Sequence, residues 1–324
     1  MTLRNIFIND FGRLRSGWRL LLFALAVNAA WYVIAAALWI AYAIGMALTP
    51  SLPRSYFVLD VIYRFSVLAS ALIAGYLCAR WLEGLPWRSL GLTLHVGWLK
   101  DLIIGFAIGF ATLALAVGIG AAGGGMSFSF NDDAVTWIGR SMIGSAGYLF
   151  VAALAEEAMF RGYGLQTLTR ARLAWLGVLL TSVPFGLAHL WNPNLAVPAF
   201  FNTVLAGVWF GVAYLRTRSL WLPWGLHWSW NWALGWFFGL PVSGAKLVST
   251  PLFKATDDGP VWVTGGNYGI EGGVAGTIAL VLSTLFLWRT SWVSATPELK
   301  KLTSEENPAI PEPVLTIRSA EGDA

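Results

Sequence analysis

The 324-residue chain predicts an all-α protein that crosses a membrane about eight times, and three observations lead there. Hydrophobic residues make up 57% of it and charged residues only 12%, where soluble domains carry about 25% charged residues. Mean hydropathy is +0.64. Stretches free of charge and long enough to span a bilayer as helix recur along the chain. The 19 Trp, 9 Tyr and 19 Phe suit the same picture, since amphipathic rings settle at membrane interfaces and fill gaps between helices. The 35 Gly permit close helix approach. Cys78 is the single cysteine, which excludes an intramolecular disulfide, a cysteine metal site and a dithiol redox motif.

A spanning helix takes roughly 20 apolar residues. The first eligible run, 20–48, far exceeds the ~7 to 15 residues of a signal-peptide core. It reads as the first span, preceded by a short segment, 1–19. Further runs cover 61–82, 102–123, 143–167, 173–190, 195–215, 220–239 and 276–292. Pro198 and Pro223 fall near the starts of the sixth and seventh runs, where proline is tolerated; deeper in a helix it would bend it. The membrane domain is therefore expected over 20–295. Residues 241–273, with Asp257, Asp258 and the run Thr264-Gly265-Gly266-Asn267-Tyr268-Gly269, form a long outer loop, a connector or else a lid. The tail 296–324, with Pro297, Pro308, Pro311 and Pro313 among glutamates, is expected to be disordered.

Eight spans put both termini on one side, and the cations choose the side. With the N-terminus cytoplasmic, only Arg54, Arg64, Arg140, Lys246 and Lys254 of the 21 Lys and Arg fall outside, a strong positive-inside bias. Both ends are thus expected in the cytoplasm of a protein integral to a membrane, with the bacterial cytoplasmic membrane as its location and the lipid bilayer as its surroundings. The net charge of +4 is spread over loops as topology requires, so no nucleic-acid footprint emerges. No internal repeat is visible, which argues against a transporter of two related halves.

Between Arg140 and Arg170 the only charged residues are Glu156, Glu157 and Arg161. A charge at bilayer depth costs at least ~2.5 to 3.5 kcal/mol on insertion scales, so a doubled glutamate within a span is a functional hypothesis from the outset. Two of the three histidines, His189 and His227, lie in or beside other apolar runs. The fourth and fifth spans form a hairpin turning near Arg170 and Arg172; Glu156 and His189 stand at nearly equal distances along its two arms and so reach matched depth. His227 and Asn231, four residues apart on the seventh span, share a helix face. A buried carboxylate, two imidazoles and an amide are the parts of a hydrolytic site: a base for water and donors for an oxyanion. Burial moves a carboxylate toward the useful range for a base, while Arg161, one turn beyond Glu157, keeps one carboxylate ionised.

Three motifs carry a resemblance. Glu156-Glu157-Ala158-Met159-Phe160-Arg161-Gly162 contains E-E-x-x-x-R, Phe185-Gly186-Leu187-Ala188-His189 is F-x-x-x-H, and His227-Trp228-Ser229-Trp230-Asn231 is H-x-x-x-N. In this order they resemble the signatures of the CPBP intramembrane proteases, which include the type II CAAX prenyl endopeptidases and proteins tied to bacteriocin processing and self-immunity. The resemblance covers about 144–239. It implies a glutamate-type intramembrane endopeptidase acting on a peptide or membrane-protein substrate without a cofactor. In it Glu156 is the catalytic base, His189 orients or activates water, and His227 and Asn231 bind the oxyanion. Glu157, Arg161 and Phe185 support the site.

Other functions compete with this one. The same scaffold would serve a binding or immunity-type protein that cuts nothing. A proton relay through Glu156 and Glu157 would suit a transporter. A zinc protease would use His189, His227 and a Glu as ligands, although no H-E-x-x-H spacing is present. Bland alternatives exist for single residues too. Glu157 with Arg161 is equally a tie between helices, and an intramembrane histidine is commonly a helix-helix hydrogen-bond partner. Trp221, Trp224, Trp228, Trp230, Trp232 and Trp236 read as packing and interface, and His95 as a solvated surface residue.

Overall fold

The computed structural model describes residues 6–49, 56–123 and 125–303. Its main helices are α1 (Ser16–Leu48), α2 (Tyr56–Glu83), α3 (Trp98–Ala122), α4 (Ala134–Glu157), α5 (Tyr163–Arg170), α6 (Ala174–Leu187), α7 (Val197–Thr217), α8 (Trp221–Trp232), α9 (Val274–Arg289) and the short α10 (Pro297–Thr303), with a single further turn at Val261–Thr264. Every expected span falls on one of them, in an all-α membrane fold. Five are long and apolar enough to cross a membrane: α1, most of α2, α3, the α4–α5 unit over Thr136–Arg170, and α7. Helices α6 and α9 are apolar but only 14 and 16 residues long, so length alone does not make them spans. Large apolar side chains such as Leu25, Val33, Ile40, Ile143 and Phe201 are exposed on the helix surfaces, as a lipid-facing exterior requires.

The prolines fall where the backbone tolerates them. Pro198 and Pro223 lie in the first turns of α7 and α8, where the absent N–H had no helical partner to lose. Pro184 lies inside α6, near its C-terminal end.

The core is built around α8. Helix α3 carries Gly105, facing Gly225 of α8, and one turn on Gly109, facing Leu226 and Ser229. A Cβ on Gly105 would stand 2.3 Å from the Leu222 carbonyl oxygen, and one on Gly225 2.3 Å from that of Leu102. Any larger residue there would force the helices apart, so this small-residue seam sets how deeply α8 is seated. Leu222, Leu226, Ala233 and Leu234 behind it are fully buried.

The segment after α8 folds back over the bundle. Strand β2 (Phe253–Asp257) pairs antiparallel with β1 (Met126–Phe130), Met126 opposite Asp257 and Phe130 opposite Phe253. Asn202 of α7 donates to the carbonyls of Glu271 (2.9 Å) and Gly273 (3.0 Å) and accepts from Thr277 (2.7 Å), which fixes the approach to α9.

Two expectations differ from the structure. Residues 297–303, expected in the disordered tail, form α10 because the helix packs against α5 with Leu299 buried, and Arg218 donates to the Thr303 carbonyl; residues 304–324 lie outside the described residues. His95, expected at a solvated surface, is buried, with Nε2 3.7 Å from Asp101 at the start of α3 and Nδ1 3.0 Å from the Val96 carbonyl.

Candidate active site

Adjacent residues on a helix point about 100° apart, so Glu156 and Glu157 at the end of α4 address different neighbours. Glu156 meets α2: its Oε1 accepts from Arg64 at 2.9 Å. Glu157 turns inward, where its Oε1 accepts from Arg161 (3.2 Å) and from His227 Nδ1 (2.9 Å). Immediately beyond, Ala158–Gly162 form a π-helical turn between α4 and α5. A second π turn, Ala233–Phe237, follows Asn231 on α8. Such turns insert a residue and re-phase the helix, and they concentrate at functional sites. The helices that carry the first and third motifs therefore depart from α geometry at or just after their polar residues.

His189 lies two residues beyond the end of α6. The Phe185 carbonyl is one of the last in that helix, and the backbone N–H of His189 bonds instead to Gly186. The orphaned oxygen accepts from His189 Nδ1 at 2.7 Å. This explains the F-x-x-x-H spacing physically: the helix end needs a donor four residues on, and the histidine supplies it. A carbonyl cannot donate, so Nδ1 carries the proton and Nε2 is left facing the site. The Glu157 carboxylate does the same for His227.

As a result both imidazoles present Nε2 to one atom. Glu156 Oε2 lies 3.9 Å from His189 Nε2 and 3.7 Å from His227 Nε2, converging without closing into direct hydrogen bonds. Phe210 stacks on His227 with ring centroids 4.5 Å apart, fixing its plane. Arg161 is fully buried; it donates to the Gly207 carbonyl at 3.0 Å, and its guanidinium sits 4.5 Å from the Phe185 ring centre and 5.3 Å from that of Phe210. Phe185 and Arg161 thus hold the walls that carry both histidines.

These groups open on a cavity of about 310 Å³, at the lower end of the range for small-ligand sites. Glu156, Phe185, His189, His227 and Asn231 all line it. Asn231 forms no hydrogen bond with a described residue, so its amide is available to an occupant. The six tryptophans divide. Trp221, Trp224 and Trp236 are packed into the core, whereas Trp230 also faces the cavity.

Sequence reasoning missed several lining residues. Arg64 was read as one more outer cation, although Asp60 four residues before it was a visible helix-face partner, 3.7 Å away in the structure. Tyr148 donates to Asp60, extending the chain Tyr148, Asp60, Arg64, Glu156. Glu271 lay in a segment with no motif, yet it lines the cavity and accepts from Trp230 Nε1 at 2.8 Å and from the Ser243 N–H at 2.6 Å. Among the described residues no three His, Cys, Asp or Glu side chains are arranged to hold a metal ion. Where Glu156 meets His189 and His227, the Arg64 guanidinium holds Oε1 of the carboxylate and Oε2 faces the imidazoles.

Neither the curated proteins nor the solved structures contain a match to this chain. The scan of protein families gives one over less than a third of the length, and it encloses all seven motif residues while leaving Arg64 and Glu271 outside. The family is described as Rce1-like, type II CAAX prenyl endopeptidases, and residues 138–233 match it, which supports intramembrane protease activity for a chain built of membrane-spanning helices.

Proposed function

We propose that the protein is an intramembrane endopeptidase that hydrolyses a peptide bond with a water activated by Glu156. The observation that carries this is the convergence of Glu156 Oε2 with the Nε2 atoms of His189 and His227 at a cavity. Water held there gives a proton to Glu156 as its oxygen bonds to the scissile carbonyl carbon. His189, its Nδ1 tied to a neutral carbonyl, orients that water through Nε2. His227 stands against the Glu157 carboxylate, whose charge compensates an imidazolium; doubly protonated, it donates Nε2–H to the oxyanion together with the Asn231 amide. When the carbon-nitrogen bond breaks, Glu156 returns its proton to the departing amine, leaving acid and amine products and the enzyme unchanged. Arg64 keeps Glu156 charged for the first step, at the opposite oxygen from the reacting one.

The proposed reaction uses no metal. A guanidinium 2.9 Å from Glu156 opposes a dication on the same carboxylate, so exhaustive chelation is expected to leave turnover unchanged; loss of activity restored by zinc would transfer the chemistry to a metal. The substrates are peptides or membrane proteins, and both termini face the cytoplasm. The test is cleavage of a peptide library by purified protein in lipid nanodiscs, wild type beside Glu156→Gln and His227→Ala. Products from wild type alone support the proposal, and equal cleavage by all three ends it.

A further inference from the structure

The deep carboxylates of this protein differ in their counter-charges. Glu156 has Arg64 at 2.9 Å and Glu157 has Arg161 at 3.2 Å. Glu83, at the end of α2, has both Arg19 and Arg170. Glu271 has no Lys, Arg or His within ion-pair distance among the described residues. Its oxygens receive only two neutral donors, the Trp230 indole and the Ser243 backbone N–H. That second donor is aimed by a strained backbone, since Ser243 holds φ +48° in the turn that bridges Val242 and Ala245. The Asn192 side chain lines the cavity beside Ser243, its amide nitrogen donating to the Ser243 carbonyl at 3.2 Å.

A half-buried carboxylate with neutral donors and no cation is an incomplete arrangement. Glu271 also faces the cavity that holds the hydrolytic groups, so whatever enters there can complete it. Resting on the function proposed above, we infer that Glu271 is a specificity-determining residue: it receives a cationic group of the substrate, a Lys or Arg side chain near the scissile bond. The Glu271 carboxylate and the Asn192 amide oxygen supply acceptors in the same cavity as the hydrolytic set. Burial raises the Glu271 carboxyl above its ordinary range, against the two donated hydrogen bonds and the nearby histidines. A substrate cation would relieve that burden.

Two measurements on full-length protein in nanodiscs test the inference. In the first, kcat/KM is compared for peptide pairs carrying Lys or isosteric norleucine at each position flanking the cleaved bond. Wild type is expected to favour Lys at one position by about tenfold or more, mainly through KM. Glu271→Gln brings that ratio to about one, and Glu271→Asp, which keeps the charge, restores part of it. A wild-type ratio near one at every position, or a ratio unchanged in Glu271→Gln, overturns the inference, even where cleavage itself upholds the protease. The second needs no turnover: binding of benzamidine, a cationic amidinium, is compared with neutral benzamide in Glu156→Gln protein. Benzamidine is expected to bind about tenfold tighter or more, and the added Glu271→Gln change abolishes the difference. Equal binding of the two probes overturns the assignment, whatever the first experiment gives, whereas tight benzamidine binding by a protein that cuts nothing sinks the protease alone.

Discussion

Two buried charge clusters share the α4–α5 unit, and they are built differently. At its α5 end Glu83 is 1% exposed; one oxygen faces Arg19 at 3.0 Å and takes a hydrogen bond from Thr167, and the other is bound by Arg170. Toward the other end Glu156 engages one oxygen with Arg64 and leaves the other 3.7 and 3.9 Å from two imidazoles, at a cavity. The first carboxylate has both oxygens committed, so it ties α1, α2 and α5 together and offers nothing to a reactant. The second is held in place on one side and available on the other, the condition of a catalytic base. Residue type does not separate a structural tie from a reactive site; an oxygen left facing the cavity does.

Removing one charge from each cluster should give opposite results. Glu156→Gln is expected to lower kcat by about 10² to 10⁴ with thermal stability little changed. Glu83→Gln leaves two arginines without their buried counter-charge and is expected to lose about 3 to 5 kcal/mol of stability, while each molecule that still folds cleaves at close to the wild-type rate. Thermal unfolding and turnover per folded molecule, measured on both variants, check the contrast; matching phenotypes would erase it.

The cluster around Glu156 also depends on the seating of α8. Gly225→Leu places a side chain against the α3 backbone, where even a Cβ would lie 2.3 Å from the Leu102 carbonyl oxygen. Displacing His227 and Asn231 by about 1 Å is expected to lower kcat about 10²-fold. Near-normal turnover would show that the seam does not position the site.

A smaller loss belongs to Arg64→Gln. Hydrogen bonds to charged groups contribute about 1.5 to 3 kcal/mol, so kcat/KM is expected to fall roughly ten- to a hundredfold, where Glu83 with two arginines would tolerate the loss of one less well in stability than in rate. Unchanged kcat/KM would remove Arg64 from the site.

The mildest effect concerns pH. The Glu271 carboxyl is raised by burial, and only its ionised form attracts a cation. Benzamidine affinity in Glu156→Gln protein should therefore fall roughly several-fold as pH drops through that raised range. His189 on the α6 side and His227 on α8 face the same cavity. Tyr268, pushed up to about 12, stays neutral throughout. The part of the pH dependence due to Glu271 is the part lost in the Glu156→Gln, Glu271→Gln double variant; identical profiles would assign it all to the histidines.

Much of this site was legible in the sequence because charge inside an apolar run has few explanations. Glu156, Glu157, Arg161, His189, His227 and Asn231 stood out on that ground, and the helical period gave His227 and Asn231 one face. The helices were legible for the same reason. Arg64, Glu83 and Glu271 were not, because each lies near the end of a span or in a connection, where charge is ordinary. Apolarity and period report which segments are helical; they do not report that residues 241–273 fold back to wall the cavity, or that Arg19 and Arg170 meet over Glu83. His95 failed likewise: a loop histidine looks solvated until the loop packs onto Asp101.

The role of Glu156 as a base toward water is tested most directly by one turnover in H₂¹⁸O, with the label then mapped by mass spectrometry in both the cleaved peptide and the protein. Attack by water predicts ¹⁸O in the new carboxyl group of the product and none in the segment containing Glu156. Label on Glu156, or a product without it, would mean that the carboxylate itself attacks the peptide bond, which contradicts its role as a base.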